Sequence, residues 1–442
     1  MGKRSLNSLL VGLTALALAL AAAPALADSH ARIVRLSYVE GEVQIDRNLG
    51  QGYEKAVPNM PLTEGMKVAT KNGRLEIEFE DGSAVRLTPN SEMGFTELGL
   101  RDSGARLSTL TLKQGEAYFA YNEKQKEDEF TVAFGGERVK PDPAAHFRVN
   151  VEGTDVELAV FKGDVRVEGP SGKVEVTKNR TATFDLAAGD KYEVSRNVEA
   201  DPFDGWDKQL DKYQQQYANA GSNYNYPYSY GVSDLNYYGS YSYVPGYGLM
   251  WQPYFIGAGW NPFMDGAWMF YPGYGYTWIS AYPWGWMPYR YGNWAFLPGY
   301  GWMWQPGGWG GGWYTVPPVV NPPNRFVPPQ PPNRGTATVA VGRGPMSNPL
   351  IMPHHMLVEA GSAGWGVARG SVSNPGRVSQ EVSQRGFAKV NTAPAASMGS
   401  AYSQSYGPSY GSRAASSGTG HVGGFSGASH ASAGGHSVAP PR

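Results

Sequence analysis

The sequence predicts an all-β protein whose strands fall into two unlike regions. Short runs of alternating polar and apolar residues fill the first half, and glycines precede many of them. The second half repeats an aromatic Pro-Gly-Tyr-Gly unit. Alternation with a period of two is typical of a strand with one buried face, and glycine supplies the positive φ of tight turns. We therefore expect a β domain, a short helix, small aromatic hairpins and a disordered tail.

The first 27 residues are predicted to be a signal peptide. Two basic residues precede an apolar run over residues 9–23, and an Ala-Leu-Ala sequence ending at Ala27 supplies small residues for cleavage. This run is shorter than the roughly 20 residues needed to span a bilayer, so cleavage is favoured over an uncleaved anchor. The mature chain would then begin near Asp28, be exported to the periplasm or the exterior, and hold no integral membrane span.

Composition excludes several classes of function. The chain contains no cysteine, which rules out disulfides, thiolate metal sites and thiol redox chemistry. A formal net charge of −1 argues against bulk binding to nucleic acid or acidic lipid. Nearly all acidic residues precede Lys212, whereas the later half is rich in glycine and proline. One ordinary folded domain is therefore expected in the first half only.

The β domain is predicted over residues 31–198. Residues 74–80 alternate strictly, with Leu75, Ile77 and Phe79 on one side, and Asp81-Gly82 then turns the chain into a second alternating run. An Asp-Gly pair between two such runs is a strong hairpin signal. We expect the apolar side to face the core and the glutamates at 76, 78 and 80 to face water.

The order of motifs in this region resembles the FecR domain. The resemblance covers nearly all of residues 31–195 and rests on the segments 41–45, 62–68, 80–87, 89–91, 110–116, 146–149 and 160–165. It implies a β-roll or sandwich outside the cytoplasm that acts by protein contact. The best-studied relatives pass a receptor signal to a sigma factor through a cytoplasmic segment before a membrane span. Only six or seven residues precede the apolar run here, so the resemblance carries over a scaffold or sensor role without anti-sigma activity.

A helix or hinge is predicted over residues 201–220. Asp204 is expected to cap its N-terminus and Gly221 to end it. Apolar and aromatic residues recur at the helical spacing i, i+4, i+7 and i+11: Trp206, Leu210, Tyr213 and Tyr217. This pattern favours a short helix that packs on the β domain, a role compatible with spacing it from the repeats.

Three aromatic repeats are predicted over residues 237–314. Pro-Gly-Tyr-Gly begins at Pro245, Pro272 and Pro298, at intervals of 27 and 26 residues, and tryptophans keep the same spacing. Each unit is expected to be a tight hairpin with Pro-Gly at its turn and facing aromatic pairs. The region resembles the Trp-Gly/Tyr-Gly repeat tails of exported proteins that carry a FecR domain, which implies an architecture and no activity.

The aromatic side chains have two interpretations. Most are expected to form the hairpin cores, since each ring buries about 150–250 Å². A minority would stay exposed as a platform for sugars or peptides, because Trp and Tyr suit contact surfaces with one wet edge. The candidate ligand-binding residues are Tyr289, Arg290, Tyr291 and Trp309, where an arginine lies between two rings.

Residues 315–442 are predicted to be a disordered tail, first Pro-rich and then rich in Gly, Ser and Ala. Paired prolines favour an extended polyproline conformation, and the later composition buries too little surface to fold. Histidines such as His354, His355 and His421 match no metal-ligand spacing. No cofactor or metal site is therefore predicted.

The sequence favours a protein without enzymatic activity, because no nucleophile-elbow, zinc-protease or phosphate-loop motif is present. The first hypothesis is an envelope protein that contacts another protein as a scaffold or sensor. The second is binding of envelope polysaccharide or cell wall through exposed aromatic rings. The third is signal relay of the FecR kind with a separate membrane partner. No nucleic-acid partner is expected, and the oligomeric state stays open.

Overall fold

The computed structural model describes residues 32–122, 125–188, 191–218, 226, 228–309, 318–333, 335, 337–342 and 355–391. The predicted signal peptide lies outside these residues, as do Gly221 and much of the predicted tail. Among the described residues, no helix is both long and apolar enough to cross a membrane.

Between residues 32 and 195, the described part of the chain has strands as its only regular elements, which confirms the predicted all-β class. We call it the β domain. Its strands are β1 (Val34–Glu40), β2 (Val43–Asp46), β3 (Glu54–Lys55), β4 (Pro61–Leu62), β5 (Lys67–Thr70), β6 (Arg74–Glu78), β7 (Ala84–Leu87), β8 (Glu92–Leu100), β9 (Arg106–Ala120), β10 (Glu129–Phe134), β11 (Glu137–Pro141), β12 (His146–Glu152), β13 (Asp155–Lys162), β14 (Val165–Gly169), β15 (Gly172–Val176), β16 (Arg180–Asp185) and β17 (Lys191–Ser195).

The long strand β9 belongs to both layers of this domain. Its first half pairs with β8 and with β10, the latter in parallel, and its second half pairs with β7 and β12. The crossing falls at Gly115, whose φ is +79°. A side chain there would lie 2.6 Å from the Asn90 carbonyl oxygen, so only glycine fits. One sheet thereby folds over itself around an aliphatic core.

A single helix, α1 (Asp204–Tyr217), follows the β domain within the predicted bounds. Trp206, Leu210 and Tyr213 are buried, as the helical spacing predicts. The predicted cap is wrong, because Asp204 is the first helical residue and no side chain caps the helix. Its carboxylate instead accepts a hydrogen bond from the Tyr118 hydroxyl at 2.9 Å, which fixes the helix to the β domain.

The next region contains the three predicted hairpins, and we call it the aromatic domain (residues 228–342). Facing aromatic pairs occur at the expected positions, Tyr241 with Trp251, Trp268 with Trp278 and Trp294 with Trp304. Its elements are α2 (Val232–Tyr238), β18 (Gly239–Val244), β19 (Gly248–Pro253), β20 (Gly266–Tyr271), β21 (Gly275–Ser280), a 3-10 turn (Met287–Tyr289), β22 (Tyr291–Leu297), β23 (Gly301–Trp309), β24 (Val319–Val320) and β25 (Val339–Val341).

The hairpins do not stack as three equal units. The first and third share one sheet in the order β18-β19-β23-β22-β24, whereas the middle hairpin pairs with β25 in a separate sheet. The middle hairpin also contributes Ala267, Met269, Tyr271 and Ile279 to the core of the β domain. Sequence spacing alone could not indicate this packing, since all three repeats carry the same turn.

Each hairpin has a glycine that makes room for a tryptophan. Gly239, Gly266 and Gly292 lie 12 residues before Trp251, Trp278 and Trp304, respectively, and a Cβ at any of the three would press on that indole. The indole therefore lies across bare backbone. This Gly-Trp spacing is a feature of the repeat that the sequence analysis missed.

Part of the predicted disordered tail is folded, so that prediction is wrong for β24, for β25 and for residues 355–391, which we call the C-terminal segment. It forms β26 (His355–Glu359), α3 (Pro375–Arg385) and β27 (Phe387–Asn391). The Asn374 side chain accepts a hydrogen bond from the Arg377 amide at 3.0 Å, and Gly386 ends the helix with a φ of +82°. Buried apolar residues such as Val382 pack it on the aromatic core.

The close approach of glycine and indole can be tested in the middle hairpin. We expect Gly266→Ala to lower the free energy of unfolding by about 1–3 kcal/mol, because the added methyl group would overlap the buried Trp278 ring. Gly259→Ala is the matched control, since nothing lies within 4 Å of its Cβ position. Urea unfolding followed by tryptophan fluorescence would measure both, and equal stability of the two variants would contradict the packing.

Candidate functional site

The glutamate side of β6 is buried, which corrects the prediction that it faces water. Glu76 is completely inaccessible and Glu78 and Glu80 are 2% and 7% exposed. The helix α1, the aromatic domain and the C-terminal segment cover this side. Together the buried ionic groups form what we call the charge cluster, whose members are Arg35, Glu76, Glu78, Arg86, Asp207, Asp234 and Arg369.

Glu76 connects the β domain to the C-terminal segment. One carboxylate oxygen accepts a hydrogen bond from Arg86 on β7 at 2.9 Å, and the other accepts one from Arg369 of the C-terminal segment at 2.8 Å. Ser37 adds a further hydrogen bond at 2.7 Å. Burial alone would raise the pKa of Glu76, but the two guanidinium groups outweigh it and lower the pKa to about 2. Glu76 is therefore charged at neutral pH.

Asp234 on α2 has the corresponding role on the aromatic side. Arg369 donates to one of its oxygens at 2.7 Å, and Arg35 of β1 forms an ion pair with the same oxygen. The Tyr213 hydroxyl of α1 donates to the other oxygen at 2.9 Å. Arg369 thus bridges a carboxylate of the β domain and a carboxylate of the aromatic domain.

Glu78 has the weakest partner in the charge cluster. Its distance to Arg35 is 3.6 Å, and its other contacts include the Gly231 amide at 3.2 Å. Burial raises the pKa of Glu78 to about 7, because Arg35 opposes the effect only in part and Asp234 adds to it. Four carboxylates face three guanidinium groups here, so one carboxylate close to neutrality reduces the imbalance.

A second buried group of charges anchors the start of α1. The single O–H of Tyr118 is shared between Asp201 and Asp204, at 3.0 and 2.9 Å, and Arg148 donates to Asp204 at 3.1 Å. Burial and the neighbouring Asp201 raise the pKa of Glu116 to about 8, against the opposing charge of Arg148. This group and the charge cluster both hold α1 on the β domain.

The charge cluster has the contacts of a structural element that holds parts of the chain together. The carboxylates of Glu76 and Asp234 are bound by arginines and hydroxyls of the same chain. A buried charge is tolerated when an opposite charge and hydrogen-bond donors surround it. Removing one partner of a buried ion pair leaves an uncompensated charge, which is strongly destabilising. The charge cluster is therefore an interdomain lock that connects the β domain, α1, the aromatic domain and the C-terminal segment.

The predicted ligand platform is buried. Tyr289 is completely inaccessible, Tyr291 is 1% exposed and Arg290 is 5% exposed, while the side chain of Trp309 lies outside the described residues. The expectation of an exposed platform at Tyr289, Arg290 and Tyr291 is therefore wrong. It failed because repeats that are separate in sequence cover one another in space.

The contacts of Arg290 show how it is accommodated. Its guanidinium lies 4.8 Å from the centre of the Trp286 ring and donates to the Trp278 carbonyl oxygen at 3.1 Å. Burial lowers the pKa of Arg290 to about 10, although nearby tyrosines oppose the effect. Tyr291 and Tyr230 lie beside it, with their hydroxyls 3.3 Å apart. Arg290 is thus part of the aromatic core.

Two family models match the chain. Residues 66–166 match the model of FecR protein, and residues 232–322 match that of a family of unknown function (DUF6600). These matches define a protein that joins a FecR domain to a separate DUF6600 domain. They confirm the FecR resemblance found in the motifs, and the structure extends the β domain on both sides of the matched residues.

Two crystal structures of a candidate anti-sigma factor from Parabacteroides distasonis ATCC 8503 are similar to part of the chain. One, at 1.65 Å, is 22% identical, covers 32% of this chain and 63% of that chain, and has a TM-score of 0.26. The other, at 2.50 Å, is 18% identical, covers 37% and 82%, and has the same TM-score. Less than two thirds of the first of these proteins thus has a counterpart here. No curated protein matches the chain.

The lock can be tested at Arg369. We expect Arg369→Met to lower the free energy of unfolding by about 3 kcal/mol, which is the lower end of the range for a broken buried ion pair. The loss should not be larger, because Arg35 still pairs with Asp234 and Arg86 with Glu76. Arg385→Met in α3 is the control, since that side chain is 69% exposed and pairs with Glu381 on the surface. Urea unfolding midpoints would decide, and matching midpoints would contradict the lock.

Glu78 predicts a specific dependence of stability on pH. Its pKa is raised in the folded protein from about 4.5 to about 7, so the folded state holds this proton more tightly than the unfolded chain does. The free energy of unfolding should therefore fall as pH rises through this window. Glu78→Gln should remove that part of the fall, whereas the exposed Glu175→Gln should leave the profile unchanged. Parallel profiles for all three proteins would refute the assignment.

Proposed function

We propose that this protein is a non-enzymatic, extracytoplasmic FecR-domain protein that acts by protein contact, in a regulatory or scaffold role. The FecR match supports a regulatory class. The observation that carries the proposal is the charge cluster. It fastens the FecR domain to the DUF6600 domain through the ion pairs of Arg369 with Glu76 and Asp234, and so would present both domains to a partner as one surface.

Export of the protein rests on the sequence. The apolar run with its cleavage site favours a cleaved signal peptide, and a chain without cysteine needs no oxidative folding. In this proposal the mature protein lies in the periplasm or outside the cell. Signal relay of the FecR kind would then require a separate membrane protein to carry the message inward.

Binding of envelope polysaccharide is the second candidate function. It is disfavoured because ten of the 13 tryptophans are buried: Trp206, Trp251, Trp260, Trp268, Trp278, Trp284, Trp286, Trp294, Trp302 and Trp304. The observation in its favour is that Tyr243 and Tyr300 are 77% and 50% exposed. Both residues belong to the aromatic domain, and they replace the buried platform as positions where a sugar ring could stack.

Site-specific photo-crosslinking in the cell of origin would test the proposal. A photoreactive phenylalanine would replace Tyr53 or Tyr192, which are 40% and 41% exposed on the β domain, or Tyr243 or Tyr300 on the aromatic domain. We expect this protein to be crosslinked to a partner protein in the envelope fraction from some of these positions. The crosslinked product should have the same mass from each such position and should be absent without irradiation.

Binding of polysaccharide would be tested with the purified protein. Retention on envelope polysaccharide that is lost in a folded Tyr243→Ala/Tyr300→Ala variant, together with no protein adduct at any position, would replace the proposal by glycan binding. Recovery of the protein from the cytoplasmic fraction would contradict its extracytoplasmic part.

A further inference from the structure

A histidine and two aspartates converge at the edge of the charge cluster, with which they share Asp207, at the surface between the β domain and α1. His146 is the first residue of β12, and Asp207 and Asp211 lie one turn apart on α1. Residues at this spacing share one face of a helix. One nitrogen or oxygen atom from each side chain lies within 4.8 Å of the others. Outside cysteine chemistry, imidazole and carboxylate are the usual ligands of divalent transition metals.

One of the distances suits an ion of the zinc class. The Nε2 atom of His146 lies 2.9 Å from Asp207 Oδ2. Asp211 Oδ2 faces the other ring nitrogen, Nδ1, at 3.4 Å, so its side chain must turn before one ion bound through Nε2 can reach all three ligands. Ligand bonds of about 2.0–2.1 Å in a tetrahedral site put neighbouring ligand atoms roughly 3.3 Å apart. Nε2 is buried and makes no hydrogen bond of acceptable geometry within the described residues. The Asp211 side chain is 26% exposed, so it has room to rotate onto an ion.

Arg86 orients both carboxylates. Its Nη1 atom lies 2.6 Å from Asp207 Oδ1 and 2.7 Å from Asp211 Oδ1, which leaves both Oδ2 atoms turned toward the imidazole. A group that hydrogen-bonds to a metal ligand, as Arg86 does here, fixes the orientation of that ligand.

The three side chains line a pocket of about 240 Å³ that opens to solvent. Its other walls are Phe161, Asp204, Lys208, Lys212 and Gln215. The opening provides an entry path for an ion and space for water as the remaining ligand. Because one of the three ligands is an imidazole nitrogen, a transition metal is favoured over Ca²⁺ or Mg²⁺, which prefer oxygen ligands alone.

We propose that His146, Asp207 and Asp211 bind one divalent transition-metal ion, of which Zn²⁺ is the best fit. The ion would join β12 to α1 at the edge of the charge cluster, through Asp207. Because the unfolded chain does not hold these three groups together, binding would stabilise the folded protein in proportion to the logarithm of free metal. The competing arrangement is a protonated His146 held between the two aspartates, and metal binding would displace that proton.

Metal titration of the purified mature protein, residues 28–442, tests the proposal. After removal of metal with a chelator, Zn²⁺ would be titrated by calorimetry and Co²⁺ by visible absorbance. We expect one ion per chain and a higher thermal midpoint. His146→Gln and Asp211→Asn should each weaken binding by at least about tenfold. The exposed His355→Gln is the matched control and should bind as the parent does.

If His146→Gln fails to fold, Asp211→Asn still tests the proposal. Asp211 is the more exposed of the two ligands, so its substitution should disturb folding less. Circular dichroism would check that each variant is folded. Absence of stoichiometric binding, or equal binding by the parent, His146→Gln and Asp211→Asn, would overturn the proposal.

Discussion

Glu76 is buried without any access to solvent, and the free energy of burying its charge constrains much of the structure around it. A carboxylate in an apolar interior is tolerated only when cations and donors surround it. Arg86 comes from the neighbouring strand, but Arg369 comes from 293 positions further along the chain. The C-terminal segment must therefore fold back onto the β domain for this glutamate to stay charged.

The same constraint explains which neighbouring groups are present. Arg369 would be unpaired on its far side without Asp234, and Asp234 draws Arg35 and Tyr213 into contact. Glu78 is left with a distant partner and a pKa near neutrality. The result is a network in which one broken contact exposes several others, as expected for coupled charges at low dielectric.

Much of the fold could be predicted from local patterns. The strand and turn at residues 74–87, the face of α1 and the turns at Pro245, Pro272 and Pro298 follow from alternation, helical spacing and turn residues. These signals depend on neighbours in sequence. The burial of Glu76 does not, because a strand with alternating glutamates reads as half exposed until a second domain covers it.

The errors in the site have the same origin. Composition suggested that the C-terminal segment would not fold, yet Asn374, Pro375 and Gly386 mark both ends of α3 in the sequence. Tyr289, Arg290 and Tyr291 were expected on a surface that neighbouring repeats cover. The pocket around His146 was missed because its ligands are separated by some 60 residues and only the packing of α1 unites them.

A double-mutant cycle between Glu76 and Arg369 tests the central claim most directly. The free energy of unfolding would be measured for the parent, Glu76→Gln, Arg369→Met and the double variant. If the two side chains are in contact, the double variant should be more stable than the sum of the single losses predicts, by at least about 1 kcal/mol. Additive losses within about 0.3–0.5 kcal/mol would show that the residues do not interact, and the interdomain lock would be excluded.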